Sequence, residues 1–380
     1  MPTIRLFDQD AYQSQMQAVV QEVIPHAQGV QVLLSSTCFF PNEGGQSCDK
    51  GMLKGYVVQS VDEVAGKIYH TVHASPEDFT VGENVEGQID FAFRFSNMQM
   101  HSAEHLFSGF MHKKYGYNNT GFHLSENIAT MDFDGSLTPG QLDEAVQEVN
   151  RLIYQNIESR SYFPSIEEQK DLFYRSKKQD FENLRIVEFF GADVCACCAP
   201  HVKRTGEIGL FRVQSMQSHR GGIRISYLAG IRALDATLAD KALLQSLYQQ
   251  YSANQDTLLL FLQKQREELA ALQSKVISLQ EEKLQTLFQN TDTLYFIEDT
   301  DINLVRKCAV QACGQKQSDV YVFVQTVSGF RYVLCSNTDA RPLQKALQDA
   351  LQAKGGGQPS LVQGNVNTTK EEIQQFFIKQ

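Results

Sequence analysis

The sequence predicts a multidomain α+β protein, and three observations carry that prediction. Its 380 residues exceed one ordinary domain of about 150 residues. Short β-rich runs and glycine turns fill residues 30–95, whereas helical and strand patterns mix over 96–235. Residues 236–290 then contain neither glycine nor proline and are rich in Leu, Gln, Glu and Lys. The expected layout is an N-terminal small β-barrel over 1–95, an α+β domain over 96–235, a helical or coiled-coil connector over 236–290, and a small C-terminal α/β domain over 291–380.

In chain order, a helix is expected near Gln13–Val23. Strands follow at Gln31–Leu34 and Gly55–Val58, with turns at Gly44-Gly45, Asp49-Lys50-Gly51 and Ala65-Gly66-Lys67. Asn97 to Tyr115 reads as a helix capped by Ser96 or Asn97 and stopped by Gly116. A second helix fits Leu142–Ile157, after Pro139-Gly140. Phe211–Val213 and Gly222–Leu228 read as strands. In the connector, Leu262, Leu269 and Val276 recur at seven, with Leu272 and Leu279 between them, which fits a helical hairpin, a short coiled coil or a long packed helix. Beyond it, Val320–Val324 and Tyr332–Cys335 are expected strands, Pro342–Ala353 a helix, and Gly355-Gly356-Gly357 the start of a glycine-rich loop.

The composition, 42% hydrophobic and 21% charged, is that of a soluble globular chain. No run approaches the ~18 apolar residues of a membrane helix, and the charged N-terminus does not read as a secretory signal. A cytoplasmic protein with no membrane partner is expected. Its net charge of −10 argues against a general polycation. One stretch differs: Lys203, Arg204, Arg212, Arg220, Arg224 and Arg232 face only Glu207 between His201 and Arg232, a candidate phosphate-binding surface. The eight cysteines point to thiols or metal ligands rather than disulfides.

His101 and His105 stand at i and i+4, so on a helix both imidazoles leave one face a turn apart. Cys197 and His201 form a Cys-x3-His pair about ninety residues later. Together they make a His3Cys set suited to one tetrahedral Zn2+ per chain, with Cys195 and Cys198 as rivals for the sulfur ligand. Glu104 completes His-x-x-Glu-His, the motif of a class of zinc metalloproteases in which the glutamate is the base. Four protein ligands leave no open position for that chemistry, so Glu104 is expected to face solvent.

Three ordered motifs carry a resemblance. Thr37-Cys38-Phe39-Phe40-Pro41-Asn42-Glu43-Gly44-Gly45-Gln46, His101-Ser102-Ala103-Glu104-His105-Leu106, and Cys197-x3-His201-Val202 with Thr205-Gly206-Glu207-Ile208-Gly209 resemble the editing domain of alanyl-tRNA synthetase. With no room before the barrel for an aminoacylation core, the chain resembles a freestanding AlaX-type alanyl-tRNA editing protein of the long form. Its later residues look, more loosely, like the helical coil and the tRNA-binding C-Ala domain. Glu43 stands where the family usually has glycine, and Cys198-Ala199-Pro200 replaces Gly-Gly-Thr.

The resemblance implies hydrolysis of mischarged tRNA(Ala), chiefly seryl and secondarily glycyl. By it, Thr37 is the candidate for reading the serine hydroxyl. Gln46, with the amides of Gly44 and Gly45, is the candidate for orienting water or the oxyanion. Lys203, Arg204, Arg212, Arg220 and Arg224 would carry acceptor-stem phosphates, and Gly355–Gly357 would mark a second tRNA surface. The connector or the C-terminal domain offers a homodimer contact. His123 is a lesser candidate base, expected to be structural. The rivals are a His-x-x-Glu-His zinc metalloprotease and a zinc-stabilised RNA-binding protein without hydrolysis.

Overall fold

Gln13–Val23, expected as a helix, belongs to the strand Gln15–His26. Met16, Ala18 and Val20 are buried and alternate with exposed neighbours. That two-residue period places one strand face in a core and cannot serve a helix. The structure, a computed structural model, describes residues 2–176 and 184–379.

Gln15–His26 opens a ring of six strands. It pairs with Gly29–Leu34, followed in space by Lys67–Val72, Tyr56–Val64, Gly51–Leu53 and Asn84–Ile89, and the last pairs back to the first. The sheet is thereby closed. Val20, Val32, Val61, Ile68 and Val72 fill it together with Phe39 and Phe40. Ala65 and Gly66, both at positive φ (50° and 75°), make the two-residue turn between Tyr56–Val64 and Lys67–Val72; such turns match the strand twist.

The helix Phe91–Tyr115 starts earlier than expected, because the Asp90 carboxylate accepts from the Phe93 amide at 3.0 Å and caps it there. Gly116, at φ 71°, ends it as expected. Arg94 ties this helix to the barrel. Its fully buried guanidinium pairs with the equally buried Asp49 carboxylate, which also accepts from the Phe40 amide, and donates to the Cys38 carbonyl.

From Asn97 to Gly109 every residue of this helix is buried. It packs against the helix Pro139–Tyr154 and the strands Asn119–Leu124, Asp193–Ala196 and Gly222–Ala229. Pro139–Tyr154 begins at a capping box between Thr138 and Gln141, with Pro139 in its first turn. An antiparallel sheet runs Phe211–His219, Gly222–Ala229, Ala129–Phe133, Asn119–Leu124, and a smaller one Ser159–Tyr162, Ile186–Phe189, Asp193–Ala196.

The chain divides into two compact units, Met1–Gln245 and Ser246–Gln380, so residues 1–95 and 96–235 share one unit. The expected connector is two helices, Gly230–Gln250 and Leu258–Phe288. On the second, the heptad residues Leu262, Leu269, Leu272, Val276 and Leu279 are exposed, while Leu258, Leu284 and Phe288 are buried.

In the second unit five strands lie in the order Leu294–Ile297, Val320–Thr326, Gly329–Cys335, Leu361–Val366, Lys354–Gln358, flanked by the helices Ile302–Lys316, Arg341–Leu351 and Lys370–Ile378. The expected glycine-rich loop is therefore an edge strand. Two of its glycines are there for space: a Cβ on Gly355 would lie 2.3 Å from the Tyr332 hydroxyl, and one on Gly357 2.2 Å from the Leu361 carbonyl.

Candidate metal centre

His101 and His105 reach one point from successive turns of the buried helix. Cys197 and His201 meet them from the loop that follows the strand Asp193–Ala196. One ligand atom from each of the four lies within 4.8 Å of the others. Cys197 Sγ is 3.3 Å from His201 Nε2 and 3.6 Å from His101 Nε2. Tetrahedral bonds of about 2.0 Å to nitrogen and 2.3 Å to sulfur separate ligand atoms by roughly 3.3–3.6 Å. The donor set and its spacing fit a metal ion.

Each imidazole is aimed by its other nitrogen. His101 Nδ1 meets Gln46 Oε1 at 2.9 Å, His201 Nδ1 meets Ser102 Oγ at 3.0 Å, and His105 Nδ1 meets Asp193 Oδ2 at 3.0 Å. These partners fix the tautomers so that Nε2 faces the centre, the usual support of a metal-bound histidine. Asp193 is itself clamped by Arg175, with both contacts at 2.7 Å. Burial alone would raise the Asp193 carboxyl, but Arg175 and the bond from His105 outweigh it and hold it below the carboxylate range.

Burial, with His105 and His101 adding to it, keeps His201 well below the usual imidazole range, so it is neutral and ready to donate a lone pair. Burial first, then Cys198 and Cys195, push the Cys197 thiol well up. Metal binding must therefore expel that proton. Arg185 donates to the Cys197 and Ala199 carbonyls at 3.0 and 2.9 Å and shapes the ligand loop.

Beside the tetrad opens a cavity of about 650 Å³, walled by Arg5, Asp8, Glu43, Gly44, Phe122, Tyr174 and Arg175, with His101, His105 and Cys197 at its base. Its size is that of a small-molecule site.

Family models agree with this architecture in two places. The threonyl and alanyl tRNA synthetase second additional domain matches residues 184–225, which include Cys197 and His201, and the class II (A) tRNA synthetase model matches residues 7–93. The alanyl-tRNA editing protein AlaX-L of Pyrococcus horikoshii is 25% identical, over 97% of this chain and 96% of its own. The similarity to that editing protein runs from end to end of both chains. Alanine–tRNA ligases are similar over part of their length: that of Thermofilum pendens is 26% identical over 97% of this chain but 43% of its own, and that of Halorubrum lacusprofundi 30% identical over 62% and 26%.

Among the expected site residues, Gln46 is buried and supports His101, which ties the first motif to the second. Gly44 and Gly45, at φ 62° and 83°, form the turn before it, and Gly44 lines the cavity. A Cβ on Gly45 would lie 2.3 Å from the Phe122 carbonyl, so glycine is required there. Thr37 is fully buried in the short strand Ser36–Thr37, which pairs with Ile4–Arg5 outside the closed ring, and is not among the cavity's lining. Its hydroxyl contacts His70 Nε2 at 2.8 Å and accepts from the Phe39 amide.

Of the rival sulfurs, Cys195 lies with His105 and Asp193, and Cys198 lies against Gly44. Glu104, expected to face solvent, is buried: it accepts from Ser108 at 2.5 Å and from Asn119, because this helix is enclosed on every side. His123, expected to be structural, is exposed on the strand Asn119–Leu124.

The basic stretch does not form one face of free charge. Lys203 pairs with Asp10, Arg204 with Glu158, Arg212 with Asp240 and Arg224 with Asp132, while Arg220 occupies a turn at φ 47°. Ser102, Asp193, Arg175 and Arg185 went unrecognised from sequence. Ser102 sits inside the histidine motif and offered a signal; the others carry none.

Proposed function

We propose that this protein hydrolyses the ester of mischarged tRNA(Ala), chiefly seryl-tRNA(Ala), at a Zn2+ held by His101, His105, Cys197 and His201. The observation that carries the reading is the aimed His3Cys tetrad at the base of a cavity, in a chain similar along its whole length to an alanyl-tRNA editing protein. The chemistry needs such a second site. A pocket built for alanine cannot exclude glycine by size, and it rejects an added hydroxyl only about 100-fold.

Zinc, when bound, supplies a fixed positive charge that orders the substrate's polar groups. Gln46 holds His101 in register, and the Gly44-Gly45 turn presents backbone to the cavity, where an amide can face the oxyanion. Thr37 keeps one acceptor lone pair for a serine hydroxyl, but contact requires the substrate to reach beyond the lining side chains to the strand Ser36–Thr37. Thr37→Val tests this: a selective fall in seryl over glycyl hydrolysis supports it, and equal rates overturn it.

Lys203, Arg204, Arg212, Arg220 and Arg224 are proposed to meet acceptor-stem phosphates by exchanging their present partners. The unit carrying Gly355–Gly357 is proposed to bind the tRNA elsewhere, and the connector or that unit to make a homodimer. The divisions at residues 95, 235 and 290 are proposed as functional boundaries and not as limits of separately folded units, since Leu284 and Phe288 share one core with Tyr295 and Val305. Among the described residues no helix is long and apolar enough to cross a membrane, and a cytoplasmic site of action fits the substrate.

Deacylation of seryl-, glycyl- and alanyl-tRNA(Ala), with zinc and after its removal, tests the reading. Rapid loss of seryl ester with alanyl ester spared is expected. Tight tRNA binding without deacylation would instead mark a non-enzymatic binder, and peptidase activity abolished by Glu104→Gln would mark a protease.

A further inference from the structure

We propose that the aromatic residues around Phe163 and Tyr174 on the cavity's lining form a stacking platform for unpaired nucleotides at the 3′ end of an RNA whose terminal nucleoside enters the cavity. The proposal rests on the functional reading above and names the path of its substrate. Tyr162 stands opposite Ile186, and Ile186 opposite Ala196, so the three share one face of the smaller sheet. Ala196 lines the cavity, as do Phe163, next to Tyr162, and Tyr174. The segment holding Tyr174 runs beside the strand Asp193–Ala196, where the Arg175 amide donates to the Val194 carbonyl at 2.8 Å.

Each of these lining aromatics has an aromatic chain neighbour, Tyr162 beside Phe163 and Phe173 beside Tyr174. Phe163 is 55% exposed and Phe173 95% exposed. Large apolar rings left so exposed, one on a cavity's lining and one beside the lining residue Tyr174, mark a binding surface rather than a core. A cation lies beside Tyr162: the Arg160 guanidinium is 4.7 Å from the Tyr162 ring centre and 5.2 Å from that of Phe190. Glu188 pairs with it at 2.8 Å, yet the Arg160 side chain remains 56% exposed.

Rings with an adjacent arginine suit the π-faces and phosphates of single-stranded RNA, whereas a purely apolar partner would have no use for the charge. An aminoacyl ester sits on the terminal nucleoside of an unpaired 3′ end. Any such ester in the cavity therefore draws unpaired bases across its lining aromatics Phe163 and Tyr174 and their chain neighbours Tyr162 and Phe173.

The test is fluorescence anisotropy of a 5′-labelled single-stranded RNA of about a dozen nucleotides ending in CCA, titrated with the full-length zinc-loaded protein. Phe173→Ala and Phe163→Ala are each expected to raise Kd about tenfold, while Phe173→Trp holds it near the wild-type value. Unchanged affinity in both alanine variants overturns the proposal, and so does equal wild-type affinity for a blunt duplex of the same composition. Seryl-tRNA(Ala) hydrolysis by the wild type is measured in parallel. If hydrolysis is absent while the alanine variants still lose RNA affinity, the deacylase reading falls and the platform stands.

Discussion

Ser102 Oγ receives two contacts, from His201 Nδ1 at 3.0 Å and from the Val202 amide at 3.2 Å. Ser102→Ala removes this one oxygen, and with it both contacts, without adding bulk. Loss of such a support weakens metal binding by about 10- to 100-fold, and chelator competition is expected to read a fall in that range; unchanged affinity would show that His201 needs no anchor. The four ligands were legible because their spacing is local, within a helix turn and within one loop. Asp193 was not, because nothing near it in sequence says that it will stand beside His105. A second residue-scale prediction concerns His70, whose full burial lowers its pKa to about 4. Unfolded, it titrates near its ordinary ~6.5. Between those values the unfolded chain binds more protons, so the His70 contribution is fully present above about pH 6.5 and is lost as pH falls toward 4. The whole effect is about 3 kcal/mol. Urea unfolding of wild type and His70→Gln at about pH 7 and about pH 4.5 should show a larger acid loss in the wild type; parallel losses would refute the assignment.

The edge strand Lys354–Gln358 shows where element-level reading failed. Three successive glycines signal a loop when local conformation decides, but here the Tyr332 hydroxyl leaves no room for a Cβ on Gly355 and the Leu361 carbonyl none on Gly357, while Gly356 faces open space. Gly364, across from Gly355, is held by the same ring: its Cβ would lie 2.5 Å from the Tyr332 hydroxyl and 2.1 Å from the Lys354 carbonyl. Gly364→Ala is expected to destabilise this unit by about 1–3 kcal/mol, seen as a lower thermal midpoint; Tyr332→Phe in the same background relieves only the hydroxyl clash and should recover part of it. The strand Gln15–His26 failed for the opposite reason. Its polar Gln-rich face resembled an exposed helix, and the alternation of Met16, Ala18 and Val20 becomes decisive only once the sheet closes around them. Elements with strong local punctuation, such as the helix end at Gly116 and the turn at Ala65-Gly66, were legible in full.

At the scale of the whole molecule, the two units make different demands on a truncation. A cut at residue 290 would leave Leu284 and Phe288 on the remaining chain while removing Tyr295, Val305, Val320 and Val333, with which they form one core. The sequence placed a boundary there because the helical composition ends; the packing places the helix Leu258–Phe288 in the second unit, whose first residue is Ser246. A fragment ending at Gln250, the last residue of the helix Gly230–Gln250, keeps every metal ligand and every named cavity residue within the first unit. Such a fragment is expected to bind one metal ion and to deacylate seryl-tRNA(Ala) at saturation with a kcat within about threefold of the full chain. KM should rise about 100-fold, the lower end of the 10²–10⁴-fold that a linked second surface supplies by effective concentration. Steady-state kinetics of the two proteins decide the matter. An unchanged KM would remove the tRNA-binding role from the second unit, and a lost kcat with metal still bound would mean that the second unit takes part in the ester chemistry.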